Sequence, residues 1–331
     1  MSYQLNPQLF TDDVKFEPIR AGFGRGLKAA GEANENIVAL CADLTESTQM
    51  HLFRDAFPKR FIEIGIAEQN LVTVASGLAR AGKIPFTSSY AAFSPGRNWE
   101  QIRTTAALNN QPVKIVGSHA GVSVGPDGAT HQMLEDIALM RVLPNMVVIA
   151  PGDSIEAEKA TRAIAENGKP SYIRLAREKT PIFSTDESPF EIGKAYVLKE
   201  GTDVTLLGTG ALSYELLSAA RILQEQGINA EVVHVPTIKP LDRETILASV
   251  RKTGRAVSAE EAQIAGGFGG AIAELLSEEL PTPLKRIGMY DRFGESGAPA
   301  ELMEYFGLSG NKIAPEVAAW IQKTAKYHQE F

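Results

Sequence analysis

The sequence holds one cysteine, Cys41, in 331 residues. A disulfide framework or a CxxC metal site within the chain is therefore excluded, and in the apolar run NIVALCADL the thiol reads as a core residue. No stretch reaches the ~18 uninterrupted apolar residues of a membrane span. The opening MSYQLNPQLFTDD is polar and lacks the basic-then-apolar build of a secretory signal, so a cytoplasmic protein is expected. Basic residues are in deficit, 33 Lys and Arg against 40 Asp and Glu, for a net charge of −7. That argues against a general nucleic-acid binder, which needs a basic face, but leaves room for a few Arg that bind small phosphorylated molecules. Walker A, HExxH and GxSxG motifs are absent. The five histidines, His51, His119, His131, His234 and His328, are too dispersed to read as a metal site.

What is present is an alternation of helix-like and strand-like segments, written twice. The length suggests about two domains at ~150 residues each. In the first half, EPIRAGFGRGLKAAGEAN reads as a helix with Pro18 near its first turn, and NIVALCADL and FIEIG as short strands. AEQNLVTVASGLARAG has apolar residues at helical spacing. KIPFTSSY and PVKIVGSH are strands, NWEQIRTTAALNN and HQMLEDIALMRVL helices, and GVSVGPDGATHQM a glycine-rich loop. NMVVIAP, SIEAEKATRAIAEN and PSYIRLAR complete the series. Strands alternating with helices imply a parallel sheet covered on both faces. The pattern breaks at EKTPIFSTDESPFEIG, whose Pro, Ser, Thr and acids mark a linker, and then restarts at DVTLLGTG. The expected organisation is an N-terminal extension over 1–14, one α/β domain over 15–180, a linker over 181–192 and a second α/β domain over 193–331. In the second domain, GGFGG could place a phosphate at a helix start, although it lacks the GxGxxG spacing and the downstream acid.

In an open parallel sheet, ligands bind outside the carboxyl ends of the strands. Asp43 and Ser47 follow one strand and Glu68 another. Tyr90 and Phe93 follow a third, His119 a fourth, and Arg177 a fifth. One sheet edge thus gathers a carboxylate pair, two aromatics, a histidine and an arginine. Glu68 opens a helix, where a carboxylate complements the macrodipole for ~0.3–1 kcal/mol; it could equally be a proton-handling group aimed into a cleft. Glu63, on the same side by strand alternation, is its rival.

The segments GIAEQN, SSYAAF, VGPDGATHQ, LPNMVVIAP and RLARE resemble the pyrimidine-binding domain of transketolase, and the run from LGTG onward is similar to that family's C-terminal domain. The resemblance covers the chain from about Phe16. The family's GDG-then-Asn segment, which holds magnesium and the cofactor diphosphate, does not occur in the sequence. The resemblance therefore implies the C-terminal subunit of a split transketolase, with the other half on a separate N-terminal subunit and two such pairs forming a heterotetramer. It implies thiamine diphosphate as cofactor, Mg2+ held by the partner subunit, and reversible transfer of a two-carbon ketol unit between sugar phosphates, in the pentose phosphate pathway or a specialised sugar pathway.

The same resemblance gives roles to residues. Glu68 is implied to hydrogen-bond the aminopyrimidine N1′ and favour its imino tautomer. Tyr90 and Phe93 sit where the family places aromatic residues around that ring, with Phe86 a nearby third; the SPGRN that follows leaves Arg97 without a counterpart. Arg20, Ser47 and Arg177 match phosphate-end residues, although Arg174 could exchange roles with Arg177. His119 matches a histidine near the donor hydroxyls, and Asp127 a residue that binds a sugar hydroxyl. His131, at the start of the next helix, either joins them or caps that helix. Asp43 is implied to lie close to the thiazolium and the subunit contact. The competing readings are a deoxyxylulose phosphate synthase-like protein, a subunit like the β chain of 2-oxoacid dehydrogenases, and a non-catalytic assembly subunit.

Overall fold

The computed structural model describes residues 3–327; His328 lies outside the described residues. Seven strands form the first sheet, in the order Thr237–Lys239, Val147–Ile149, Ser171–Arg174, Lys114–Ser118, Ile84–Tyr90, Ile37–Cys41, Phe61–Glu63. All pair in parallel except Thr237–Lys239, which comes from the second half of the chain and runs antiparallel at the edge. A five-stranded sheet follows, in the order Leu284–Met289, Ala256–Gln263, Val204–Gly208, Ala230–His234, Tyr196–Lys199. Its last strand is also an antiparallel edge.

Strand Ile37–Cys41 shows why both faces of the first sheet are covered. Val38 and Leu40 join a core that continues to Leu207, Val233 and Phe268 of the second half. Ile37, Ala39 and Cys41 enter a separate core with Phe23, Leu27 and Ile164. Alternate residues are buried on opposite faces, as a helix-covered parallel sheet requires, and Cys41 is the expected core thiol.

Helix Ile19–Ala33 carries four glycines in its interior, each costing up to ~1 kcal/mol of helix propensity. All four are close-packed, and two of them lie against the backbone of a neighbouring helix. A Cβ on Gly22 would lie 1.7 Å from the Ser154 carbonyl oxygen, and one on Gly26 would lie 2.7 Å from that of Glu158. Helix Ser154–Glu166 can therefore lie directly against the first helix, which fixes where Arg20 projects. Pro18 is the N-cap, directly before the first turn of the helix.

Two expected helices are shorter than their sequence pattern. NWEQIRTTAALNN has one α-turn, Trp99–Gln101, and then a π-turn over Ile102–Ala107. Thr104 and Thr105 donate their hydroxyls to the carbonyls of Glu100 and Gln101, four residues back, a contact that competes with regular α geometry. In HQMLEDIALMRVL only Asp136–Arg141 is helical. Gln132 is drawn out of the helix because its amide donates to the carbonyls of Val122, Gly125 and Glu295.

The segment over 181–192 is tied down. The Asp153 carboxylate accepts from the backbone N–H groups of Phe183 and Ser184, and Phe183 is fully buried. Tyr3, Leu5, Leu9 and Phe10, from the N-terminal stretch, pack on the core of the second half. Among the described residues, no helix is long and apolar enough to cross a membrane.

Candidate active site

Glu68 is the first residue of helix Glu68–Arg80, reached from strand Phe61–Glu63 through a short turn at Gly65. Its side chain is 1% exposed although its neighbours Gln69 and Asn70 are exposed. Oε2 accepts from Arg97 Nη1 at 2.6 Å, Oε1 lies 3.5 Å from Ser89 Oγ, and the backbone carbonyl accepts from Asn98 Nδ2 at 2.8 Å. The carboxylate caps no N–H of its own helix. It turns toward Ser89 and Arg97 rather than onto its own helix, so dipole complementarity alone does not account for its direction.

Glu63 is not a rival. It is exposed, and its carboxylate accepts from the backbone N–H groups of Asp43 and Gly65 and from Thr45 Oγ1. It shapes the turn beside Glu68. Asp43 is exposed, with φ 57°. It stands at the same sheet edge, but its only hydrogen bond here runs from its backbone to Glu63, so no direct carboxylate pair with Glu68 forms.

Four rings meet one another, and Arg97 connects one of them, Phe93, to Glu68. Tyr90 stacks on His119 with centroids 3.8 Å apart and lies 6.1 Å from Phe93. His131 meets Phe93 edge-on at 5.4 Å. Phe86 is fully buried in the core and takes no part in this surface. The Arg97 guanidinium lies 4.7 Å from the Phe93 centroid, so a single cation touches both an aromatic face and the buried carboxylate.

His119 leaves strand Lys114–Ser118 in the left-handed region, φ 58°, a conformation that costs a side-chain-bearing residue roughly 1 kcal/mol or more. The turn brings its ring under Tyr90. Nδ1 is 2.9 Å from Ser118 Oγ, and Nε2 is 3.5 Å from Arg20 Nη1. Arginine can only donate, so Nε2 carries the lone pair and Nδ1 the hydrogen. Burial, followed by the charges of Arg20 and Arg177, holds the imidazole pKa down to about 3. The ring is neutral and presents an acceptor to the site.

Arg20 also donates to the Ser47 carbonyl, which places Ser47 beside it through its backbone. Its Nε is buried without a partner. Burial and then the neighbouring Arg177 charge lower its pKa from the usual arginine value. Arg177 is half-buried, donates to the Val124 carbonyl and lies 4.0 Å from Asp127. Arg174 cannot exchange with it. Arg174 is buried, paired with Asp136 at 2.8 Å and bonded to the Glu261 carbonyl. His131 lies in the loop, five residues before helix Asp136–Arg141, so it is not a helix cap.

The structure thus clusters Tyr90, Phe93, His119 and His131, links Glu68 to Phe93 through Arg97, and sets Arg20 with the Ser47 backbone beside His119 and Arg177 near Asp127. Sequence reasoning missed Arg97 as the partner of Glu68, together with Ser89 and Asn98. Their signal was present only as polar residues flanking the aromatic pair. GGFGG is not an anion site. Helix Phe268–Glu279 starts there, and the Glu260 carboxylate already accepts from the N–H groups of Phe268 and Gly269 at 2.6 and 2.7 Å. A cleft of about 720 Å³ opens beside Gln263, Arg286, Tyr290 and Phe293, and none of the residues above line it. Among the described residues, no group of three or more His, Cys, Asp or Glu could hold a metal ion.

Residues 18–182 match the family of the transketolase pyrimidine-binding domain, and residues 193–313 match that of the transketolase C-terminal domain. The chain is 46% identical over 311 residues to a putative transketolase C-terminal section from Methanocaldococcus jannaschii, covering 93% of this chain and 98% of that one. It is 43% identical to a 6-deoxy-6-sulfo-D-fructose transketolase subunit from Clostridium sp., covering 85% and 88% of the two chains. Among solved structures it is similar to a split-gene transketolase described as an inactive β4 tetramer, with a TM-score of 0.85, 44% identity, and coverage of 92% and 97%. With both domain families spanning most of its length and relatives this similar, the chain belongs to the transketolase family.

Proposed function

We propose that this chain is the C-terminal subunit of a two-chain transketolase and supplies the aminopyrimidine and sugar-phosphate half of a thiamine diphosphate site shared with an N-terminal partner. The observation that carries this reading is Glu68, a buried carboxylate at a sheet edge whose one charged partner among the described residues, Arg97, has a half-exposed side chain. The similarity of 93% of the chain to a protein named as a transketolase C-terminal section supports the two-chain reading.

The residues present fit one end of the cofactor. A flat heteroaromatic needs a ring face and a carboxyl, and Phe93 and Glu68 offer both next to each other. Tyr90 already has His119 stacked on it, which favours Phe93 as the stacking ring and Tyr90 as its support. The diphosphate and Mg2+ are assigned to the partner subunit.

When bound, the cofactor supplies the electron sink for breaking and re-forming a carbon–carbon bond. Glu68 holds a proton against the pyrimidine N1′. His119 Nε2 would accept from a sugar hydroxyl in place of its long 3.5 Å contact with Arg20, and burial with the nearby charges keeps that nitrogen unprotonated. Asp127 and His131 orient further hydroxyls. Arg20 and Arg177, with Ser47, bind the anionic end of the sugar, where guanidinium forks suit phosphate oxygens. Asp43, exposed at the same sheet edge, would face the thiazolium and the partner subunit.

Product analysis tests the reaction class. The chain is mixed with its N-terminal partner, Mg2+ and thiamine diphosphate, and offered ketose phosphate with aldose phosphate, a 2-oxo acid, or pyruvate with an aldehyde phosphate. Ketol transfer is the expected outcome; acyl transfer or condensation with pyruvate would assign a different thiamine reaction. Because one relative is named for a sulfo sugar, a 6-deoxy-6-sulfo ketose belongs among the donors. The two arginines suit either a phosphate or a sulfonate end.

A further inference from the structure

We infer that Arg97 is an internal stand-in for the cofactor's pyrimidine ring, occupying its two contacts in the free subunit and setting how tightly the cofactor binds. This rests on the reading of Glu68 given above and adds a residue to it.

The guanidinium is planar and cationic. It lies over the Phe93 face at 4.7 Å and donates to Glu68 Oε2 at 2.6 Å. A bound aminopyrimidine would use the same two features, stacking on the ring and hydrogen-bonding the carboxyl. The two occupants compete for one place. Without an occupant, Glu68 would be a buried charge lacking a charged partner, a costly arrangement. Arg97 removes that cost while the site waits for cofactor.

The backbone around Arg97 holds still while its side chain can leave. Gly96 turns so tightly that a Cβ there would lie 2.1 Å from the Ala92 carbonyl oxygen. Arg97 N–H donates to the Phe93 carbonyl. Asn98 is fully buried and bonded to the Glu68 carbonyl and to Ser94 Oγ. The Arg97 side chain is 47% exposed and can swing into solvent without disturbing these anchors. A site whose competent state is a minority binds more weakly by that fraction. A closed pair favoured about ten to one therefore weakens apparent cofactor affinity about tenfold.

The test is calorimetric titration of thiamine diphosphate, with Mg2+, into the complex of this chain and its N-terminal partner. Wild type is compared with Arg97→Gln, Arg97→Met and Arg97→Lys. Both neutral variants are expected to bind about tenfold more tightly, and the lysine variant, which keeps a competing cation, to stay near wild type. The cofactor-free complexes of the neutral variants are expected to melt lower than wild type. Equal or weaker binding by Arg97→Gln and Arg97→Met would overturn the inference, making Arg97 a structural partner or a cofactor ligand. Failure of both neutral variants to assemble would do the same. If the wild-type complex itself binds no thiamine diphosphate, the cofactor reading falls and takes this inference with it.

Discussion

Two buried glutamates stand beside helix starts at the strand ends of the two sheets, and they are held in opposite ways. Glu260, on strand Ala256–Gln263, turns into its own domain and accepts two backbone N–H groups at the start of helix Phe268–Glu279. Those bonds close the helix end that a phosphate would otherwise use. Glu68 opens its helix but turns away from it, toward rings and a half-exposed arginine. The same element pair therefore gives a closed, internal contact in one half and an unfinished one in the other. A carboxylate whose partners are backbone has nowhere to send its charge. One whose partner is a mobile side chain can exchange that partner for a ligand.

The largest test of this contrast is Glu68→Gln. It is expected to lower ketol-transfer activity of the assembled complex by ~10²–10⁴, with a far smaller change in melting temperature; steady-state rates and thermal melts on one preparation measure both. A loss of assembly in place of activity would put Glu68 in the same class as Glu260. Next is Arg177→Met. Removing a guanidinium from the anionic end should raise KM for phosphorylated donors roughly 10–100-fold while kcat changes little, the signature of lost uniform binding. Smaller is the effect of His119→Asn, which keeps a side-chain acceptor: a loss of roughly tenfold is expected. Because burial and the two arginines hold His119 neutral down to about pH 3, the wild-type pH–rate profile should carry no inflection from it between about pH 5 and 9.

The smallest effect on activity belongs to Glu260→Gln, which should leave rates alone and change the pH dependence of stability. Burial raises the Glu260 pKa from 4.5 to about 7. Between those values the folded protein binds the proton more strongly than the unfolded chain, so this group's contribution falls as pH rises through the window. Urea unfolding of wild type across pH 4.5 to 7 should show that decline, and the glutamine variant should flatten it.

Much of the fold was legible because it rests on local pattern. Alternating apolar strands and periodic helices forecast the two mainly parallel sheets, and the polar residues after each strand forecast which side chains gather at one sheet edge. Legibility ended where side chains override backbone preference. The threonines after Trp99 bend a helix into a π-turn, and Gln132 leaves its helix to hold the glycine loop. The Arg97–Glu68 pair spans 29 residues and depends on how tightly Gly96 turns, which no periodicity records. Arg174 and Arg177 lie three positions apart in sequence. Only the three-dimensional fold shows that one is buried on Asp136 while the other faces Asp127. Phe86 shares strand Ile84–Tyr90 with Tyr90 and is separated from it by depth: Phe86 lies inside the core, while Tyr90 stands at the strand's last position.

The central claim is that this chain holds half of a shared site. Ketol transfer from xylulose 5-phosphate to ribose 5-phosphate, with Mg2+ and thiamine diphosphate, tests it most directly when measured for this chain alone, for its N-terminal partner alone, and for the two together. The account predicts activity only in the mixture. Activity from this chain alone would contradict the shared site, and silence in all three with both this pair and a 6-deoxy-6-sulfo ketose donor would contradict the proposed reaction.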